Sequence, residues 1–401
     1  MNQQNQHDFY GLGIAPKILE FIDRMKFKVP TPIQYKAIPI GIEGKDIIGI
    51  AQTGTGKTLA FGIPMIQQLA QGSGCGLVLA PTRELAIQVD ETISKLGHSF
   101  GMRTAVLIGG ASMHHQIKAL QRQPSVVIAT PGRLIDHLGQ RTLRLNNVKI
   151  LVLDEADRML DMGFAPQINK ILEYCPKDRQ TMLFSATIPE RIVRIATNHM
   201  KLPVSIEIAR SGTAAKDVTH ELFIVKKEEK SQLLVKLLGQ YRGSVLLFSR
   251  TKRGATRITR GLKSLGFNAA EIHSDRSLKQ RREALEGFKR GIYRILVATD
   301  IAARGIDVKG IELVLNYDLP DDTENYVHRI GRTGRAGHEG RAISFATPDQ
   351  RGDVRAIESM MQKTLPVVKH PEFHPSDFEA PTVRSFKPRS KRFGRARPRR
   401  R

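Results

Sequence analysis

Acidic residues are scarce in this sequence: 39 Asp and Glu stand against 63 Lys and Arg, for a formal charge of +24. An excess of that size calls for a polyanionic partner or a strongly solvating role. Ten of the basic residues fall within residues 384–401, which hold no acid, so about +14 is spread over the rest and the body is basic as well. Cysteine is scarcer still. Cys75 and Cys175 lie far apart and neither belongs to a C-x-x-C pair, which excludes a zinc or dithiol centre of that kind and leaves two free thiols. No apolar stretch is long enough to cross a bilayer, and MNQQNQHDF lacks a charged start followed by an apolar run. The expectation is a soluble cytoplasmic protein.

Short runs rich in Val, Ile and Leu recur at Asp46 to Ile50, Leu77 to Ala80, Val106 to Ile108, Val126 to Ala129, Ile150 to Leu153 and Met182 to Phe184. They read as buried strands, and the segments between them have helical spacing, so the alternation predicts a doubly wound parallel sheet. A small, polar stretch, Ala209 to Asp217, interrupts the pattern where a domain of ordinary size should end. A second series follows at Val245 to Phe248, Ala269 to Ile272, Ile295 to Ala298, Leu313 to Leu315 and Ile343 to Phe345, with helical segments such as Gln280 to Lys289 between. The division is therefore an N-terminal segment 1–37, a first α/β domain 38–208, a linker 209–217, a second α/β domain 218–365 and a basic low-complexity tail 366–401. The end of that tail is too charged to bury a core and is expected to be disordered.

The segment Ala51-Gln52-Thr53-Gly54-Thr55-Gly56-Lys57-Thr58 follows a strand and precedes a helical run, the setting a phosphate-binding loop needs. Its glycines let backbone N–H groups close around phosphates, Lys57 supplies charge to the outer phosphates, and the Thr58 hydroxyl can reach Mg²⁺. Ala51 stands where the general pattern has Gly. Downstream, the apolar strand Ile150 to Leu153 runs into Asp154-Glu155-Ala156-Asp157. Acids at the carboxyl end of a strand face the ligand crevice of such a fold, where one can hold a metal and another orient water.

Those four residues spell the signature of the DEAD-box RNA helicases, and the sequence resembles that family from about Phe9 to Phe345. The first domain is similar at Pro81-Thr82-Arg83-Glu84-Leu85, Gly109-Gly110, Thr130-Pro131-Gly132-Arg133 and Ser185-Ala186-Thr187. The second is similar from Ala298-Thr299-Asp300 to Arg304-Gly305-Ile306-Asp307 and from His328 to Arg335. Lys26 to Gln34 resembles the adenine-recognition segment, with Phe9 as its isolated upstream aromatic.

The resemblance implies two tandem RecA-like domains and an ATP-dependent RNA helicase using ATP and Mg²⁺. It implies that Gln34 reads adenine and Phe9 stacks on it, the alternative for Phe9 being a staple of the N-terminal segment. Nucleotide contacts would also come from residues 51–58, Gly305 and Asp307. Asp154 would hold the metal with Thr58, Glu155 would position and deprotonate the attacking water, and Arg332 and Arg335 would act as arginine fingers from the second domain. The implied RNA contacts are Pro81, Thr82, Arg83, Gly110, Thr130, Gly132, Arg133, Arg250 and Thr299, made largely without sequence preference. Asp157, Ser185, Thr187 and His328 would couple the sites. The short N-terminus, the Phe248-Ser249-Arg250-Thr251-Lys252 segment and the basic tail look most like the bacterial RhlE-type subgroup. Lys26 departs from the family where Gly is usual, and Leu278 departs where many members have Gln. The alternatives are a DNA-directed translocase and an RNA clamp or annealing chaperone with little turnover. A monomer is expected, because no dimer-forming heptad is present.

Overall fold

Each apolar run read as a strand supplies one to a parallel sheet in a computed structural model of the protein, which describes residues 8–51, 54–208, 218–300, 311–334, 340–373 and 378. The first sheet holds β1 (Ile47–Ile50), β2 (Cys75–Leu79), β3 (Thr104–Leu107), β4 (Val126–Ala129), β5 (Val148–Leu153), β6 (Gln180–Ser185) and β7 (Val204–Glu207). Their order across the sheet is β3-β4-β2-β5-β6-β1-β7. The second sheet holds β8 (Val218–Ile224), β9 (Val245–Phe248), β10 (Ala269–Ile272), β11 (Ile295–Ala298), β12 (Leu313–Asn316) and β13 (Gly340–Ala346), in the order β10-β11-β9-β12-β13-β8. The chain thus has two parallel-sheet α/β domains. The expected linker at 209–217 and the basic segment 384–401 lie outside the described residues.

Both faces of each sheet are covered, which is why the strands read as unbroken apolar runs. Side chains alternate across the sheet: along β5, Ile150 and Val152 join one core cluster and Leu151 and Leu153 the other. In β9, Val245 and Leu247 pack on one face and Leu246 and Phe248 on the opposite one. Cys75 and Cys175 are buried free thiols in one first-domain core.

Register brings the strand ends level. Ile50 pairs with Ser185, Leu79 with both Ala129 and Leu153, and Leu107 with Ala129. The loops that follow β1 to β6 therefore emerge along one edge of the sheet. In the second sheet Phe248 pairs with Ala298 and with Asn316, so the segments beginning at Ser249, Thr299 and Tyr317 also share an edge.

Two features differ from the sequence reading. Residues 366–373 are not a loose start of the tail: Leu222 donates its N–H to the Pro366 carbonyl and accepts from Val368, and Phe373 packs on the second core. The edge strands β7 and β8 were not among the predicted runs. Among the described residues no helix is long and apolar enough to cross a membrane.

Candidate active site

The phosphate loop turns on two left-handed residues, Gly54 (φ 84°) and Gly56 (φ 89°), a conformation strained for any side chain with a Cβ. It delivers the chain into the helix Lys57–Gln71, whose first-turn N–H groups have no intrahelical partner. Lys57 is buried and its ammonium donates to the Ala51 carbonyl at 3.1 Å, so the lysine already lies across the loop. Thr58 follows, half-buried, while Gln52 and Thr53 lie outside the described residues.

Gln34 sits at the third position of the helix Pro32–Ile42, in a capping box with Thr31. Its Oε1 accepts the Thr31 N–H at 2.9 Å and its Nε2 donates to the Gly56 carbonyl at 3.0 Å. Each end of a primary amide has one further bonding position, the donor and acceptor pair a purine edge would need, although Gln34 is itself buried as folded. Phe9 is different: at 2% exposure its ring is built into the first domain's core. As folded it is the staple of the N-terminal segment, and stacking on a base would need a face it does not expose. Lys26 has φ 59°, just past the end of the helix Pro16–Arg24. A left-handed residue closes that helix, which accounts for Gly being usual there.

Asp154, Glu155 and Asp157 are all buried. Asp154 Oδ1 has no hydrogen-bond partner among the described residues, and burial raises its carboxyl above the usual range against the pull of Lys57. A buried, partnerless oxygen held this way fits a cation-binding role. Glu155 takes a left-handed conformation (φ 51°, ψ 54°) and pairs with Arg158 at 2.7 Å. Burial works to raise its carboxyl, but Arg158, Lys57 and Arg332 outweigh this and hold it ionised. Arg332 belongs to the second domain, so one cleft is lined from both sides: Lys57, Glu155, Asp157, Arg158 and Ala186 opposite His328 and Arg332. Arg335, Gly305 and Asp307 lie outside the described residues.

Asp157 ties this cleft to the strand end at Ser185. Its Oδ2 accepts from Ala186 N–H and Thr187 N–H, both at 3.0 Å, and from the Thr187 hydroxyl at 3.1 Å. Its own N–H donates to Ser185 Oγ at 3.2 Å.

Along the same edge, the helices Arg83–His98, Met113–Gln121 and Pro131–Gly139 begin directly after β2, β3 and β4. Three helix N-termini aligned at one edge suit a chain of phosphates. Pro81, Thr82 and Thr130 are buried there; the Thr82 hydroxyl caps its helix and the Thr130 hydroxyl reaches the Leu107 carbonyl. Arg83 lies so close over Gly110 (φ 76°) that a Cβ there would stand 2.4 Å from its Nη1. Arg133 donates to the Ala111 carbonyl at 3.1 Å, beside the half-buried Gly132. In the second domain Arg250 is exposed and pairs with Asp321 at 3.2 Å, and Thr299 is half-buried at the end of β11.

Four residues that sequence reasoning did not single out are central. Arg329 is buried and donates twice to Asp300 (2.6 and 2.7 Å), and also to Asn316 Oδ1 at 3.1 Å and to the Asp318 carbonyl at 2.6 Å, over the Phe248 ring. Arg158 holds Glu155, and Glu84 pairs across the domains with Arg281 at 2.6 Å.

Comparison with known proteins identifies the family. Residues 31–195 match the DEAD/DEAH box helicase family, and residues 229–337 match the helicase conserved C-terminal domain. The ATP-dependent RNA helicase CshA of Listeria monocytogenes is 46% identical over 366 residues, covering 90% of this chain and 70% of that protein. S. cerevisiae Dbp5 bound to RNA and ADP BeF3 superposes with a TM-score of 0.81 at 31% identity, over 90% of this chain and 95% of Dbp5. A DEAD box protein from the hyperthermophile Methanococcus jannaschii is 39% identical over 90% of this chain and 99% of its own, with a TM-score of 0.53.

Proposed function

Because the chain belongs to the DEAD-box helicase family, we propose that its two domains close together on ATP and RNA and that hydrolysis in the shared cleft releases them. The protein is an ATP-dependent RNA helicase, an RNA-dependent ATPase. One observation supports the closing mechanism above all: Lys57 and Glu155 from one domain and Arg332 from the other line a single cleft.

On this reading Lys57 exchanges the Ala51 carbonyl for the outer phosphates, and Gln34 uses its two remaining bonding positions on adenine N6 and N7. Asp154 and Thr58 would hold Mg²⁺, which when bound neutralises charge on the phosphates. Glu155, oriented by Arg158, positions the attacking water and takes its proton as the water oxygen bonds the γ-phosphorus and ADP leaves. Arg332 stabilises the charge on the transferring group, so turnover depends on closure. Arg335 is assigned the same role on its motif alone, as Gly305 and Asp307 are assigned nucleotide contacts.

RNA binds along the aligned helix N-termini through Pro81, Thr82, Arg83, Gly110, Thr130, Gly132 and Arg133, and through Arg250 and Thr299 opposite. Contacts of this kind reach phosphate and ribose and carry little sequence preference. Asp157, Ser185, Thr187 and His328 transmit closure between the sites. The basic residues 384–401 act as an RNA tether, and the protein works as a cytoplasmic monomer. The basic tail and the Phe248 to Lys252 segment favour the RhlE-type subgroup, whereas the relative carrying the name CshA belongs to another bacterial subgroup.

The test is ATP hydrolysis with and without single-stranded RNA, beside Glu155→Gln and with DNA of the same sequence. Stimulation by RNA alone, abolished in the variant, is the expected result. Equal stimulation by DNA would point to a translocase, and none by either polymer to a passive clamp.

A further inference from the structure

The helix Leu278–Lys289 of the second domain begins with a capping box: Ser277 Oγ accepts the Gln280 N–H at 3.3 Å and Gln280 Oε1 accepts the Ser277 N–H at 3.0 Å. That cap fixes the first turn, and Leu278 and Arg281, three residues apart, share the face it presents. Both side chains cross the domain boundary. Leu278 packs, half-buried, against the core cluster of the first domain. Arg281 donates to Glu84 Oε2 at 2.6 Å, and both partners are buried. Glu84 stands in the first turn of its helix, next to Arg83, which lies over Gly110 on the RNA-binding edge.

We propose that Leu278 is the closure latch of this helicase, with the Glu84–Arg281 pair setting its register. The ion pair alone does not hold the domains together, since Glu84 Oε1 and Arg281 Nε have no hydrogen-bond partner among the described residues and a dry, incompletely bonded pair gains little beyond its desolvation. Its contribution is directional: it admits one relative placement of the two domains. The apolar contact supplies attraction, and unlike contacts with phosphate it is not screened by salt. Leu278 therefore converts a position suited to a polar contact into one that favours the closed state directly. Leu278 is a positioning residue, acting through the placement of Arg332 opposite Glu155. The proposal rests on the helicase reading above.

The experiment uses the full chain, with fluorophores placed on exposed sites of each domain to read closure by energy transfer in the presence of single-stranded RNA and a non-hydrolysable ATP analogue. The RNA dependence of ATP hydrolysis is measured in parallel. Leu278→Gln should raise the RNA concentration for half-maximal closure and for half-maximal hydrolysis by roughly three- to tenfold, as expected for losing part of a leucine's burial. Its kcat at saturating RNA should change less than twofold, and Leu278→Met should retain parental behaviour. Glu84→Arg and Arg281→Glu should each weaken closure, and the two together should recover it in part. Unchanged half-saturation in Leu278→Gln, or a fall in kcat at unchanged half-saturation, overturns the latch; absence of charge-reversal recovery overturns the register role. If the parent protein closes on RNA and analogue without hydrolysing ATP, the helicase reading fails while the latch is still measured.

Discussion

Replacing Arg329 with methionine should destabilise the second domain by about 3 kcal/mol, although this residue lies outside the cleft and has no assigned contact with either ligand. Methionine keeps most of the apolar stem over Phe248 but removes the guanidinium that donates to Asp300, Asn316 and the Asp318 carbonyl. Removing one partner of a buried ion pair costs about 3–5 kcal/mol, because the other charge stays buried and uncompensated. Asp300 retains 22% exposure, so water relieves part of that penalty and the lower end of the range applies. Asp300→Asn in the same background should recover part of the loss, since the stranded charge is then gone. The protein has no tryptophan, so urea unfolding is best followed by far-ultraviolet circular dichroism, with the isolated transition of the second domain as the readout. A loss below about 1 kcal/mol, or a double variant as unstable as Arg329→Met alone, would refute the reasoning, because it would mean that Asp300 is already satisfied by water.

Three further perturbations follow from the same geometry. Gly56→Ala should abolish nucleotide binding and hydrolysis, since φ is +89° and a Cβ would stand 2.3 Å from Gln34 Nε2; a fluorescent ATP analogue checks binding directly. Lys26→Gly should stabilise the first domain by up to about 1 kcal/mol in urea unfolding, with hydrolysis unchanged, because Lys26 holds a left-handed conformation that glycine adopts without strain. Arg158→Met should lower kcat by about 10- to 100-fold at saturating RNA, with a smaller change in the KM for ATP, and Arg158→Lys should restore part of the rate; an unchanged kcat would mean that the Glu155 carboxylate needs no second side chain to orient it.

Most of the strands that the sequence disclosed are buried on both faces, where unbroken Val, Ile and Leu runs have no other plausible home; the edge strands β3 and β10 were legible from shorter apolar stretches. β7, Val204–Glu207, alternates buried and exposed positions at a sheet edge, and β8 mixes Thr219, His220 and Glu221 among its apolar residues, so neither produces such a run. The phosphate loop and the acidic strand end were legible because their chemistry is local: glycines, a lysine and acids within a few residues of a strand. Arg329 was not, since an arginine in His328-Arg329-Ile330-Gly331-Arg332 reads as a charge for solvent or ligand until its four acceptor atoms, on Asp300, Asn316 and Asp318, are seen to converge from two separate segments. The Glu84–Arg281 pair spans 197 positions, beyond any local pattern. Phe9 carries two readings in the sequence, a base platform and a staple of the N-terminal segment, and the packing of its ring in the first domain's core belongs to the second.

The clasp from Gln34 to the Gly56 carbonyl gives base selection an unusual point of leverage. On the proposed reading the amide that would face the purine also fixes the peptide that precedes Lys57, so an ill-matched base would disturb the cradle around the phosphates as well as its own pocket. Discrimination between ATP and GTP in such an arrangement is expressed as a difference in turnover and not only in occupancy. A guanine nucleotide that does bind would sit on a loop held out of shape, an occupied but idle cleft.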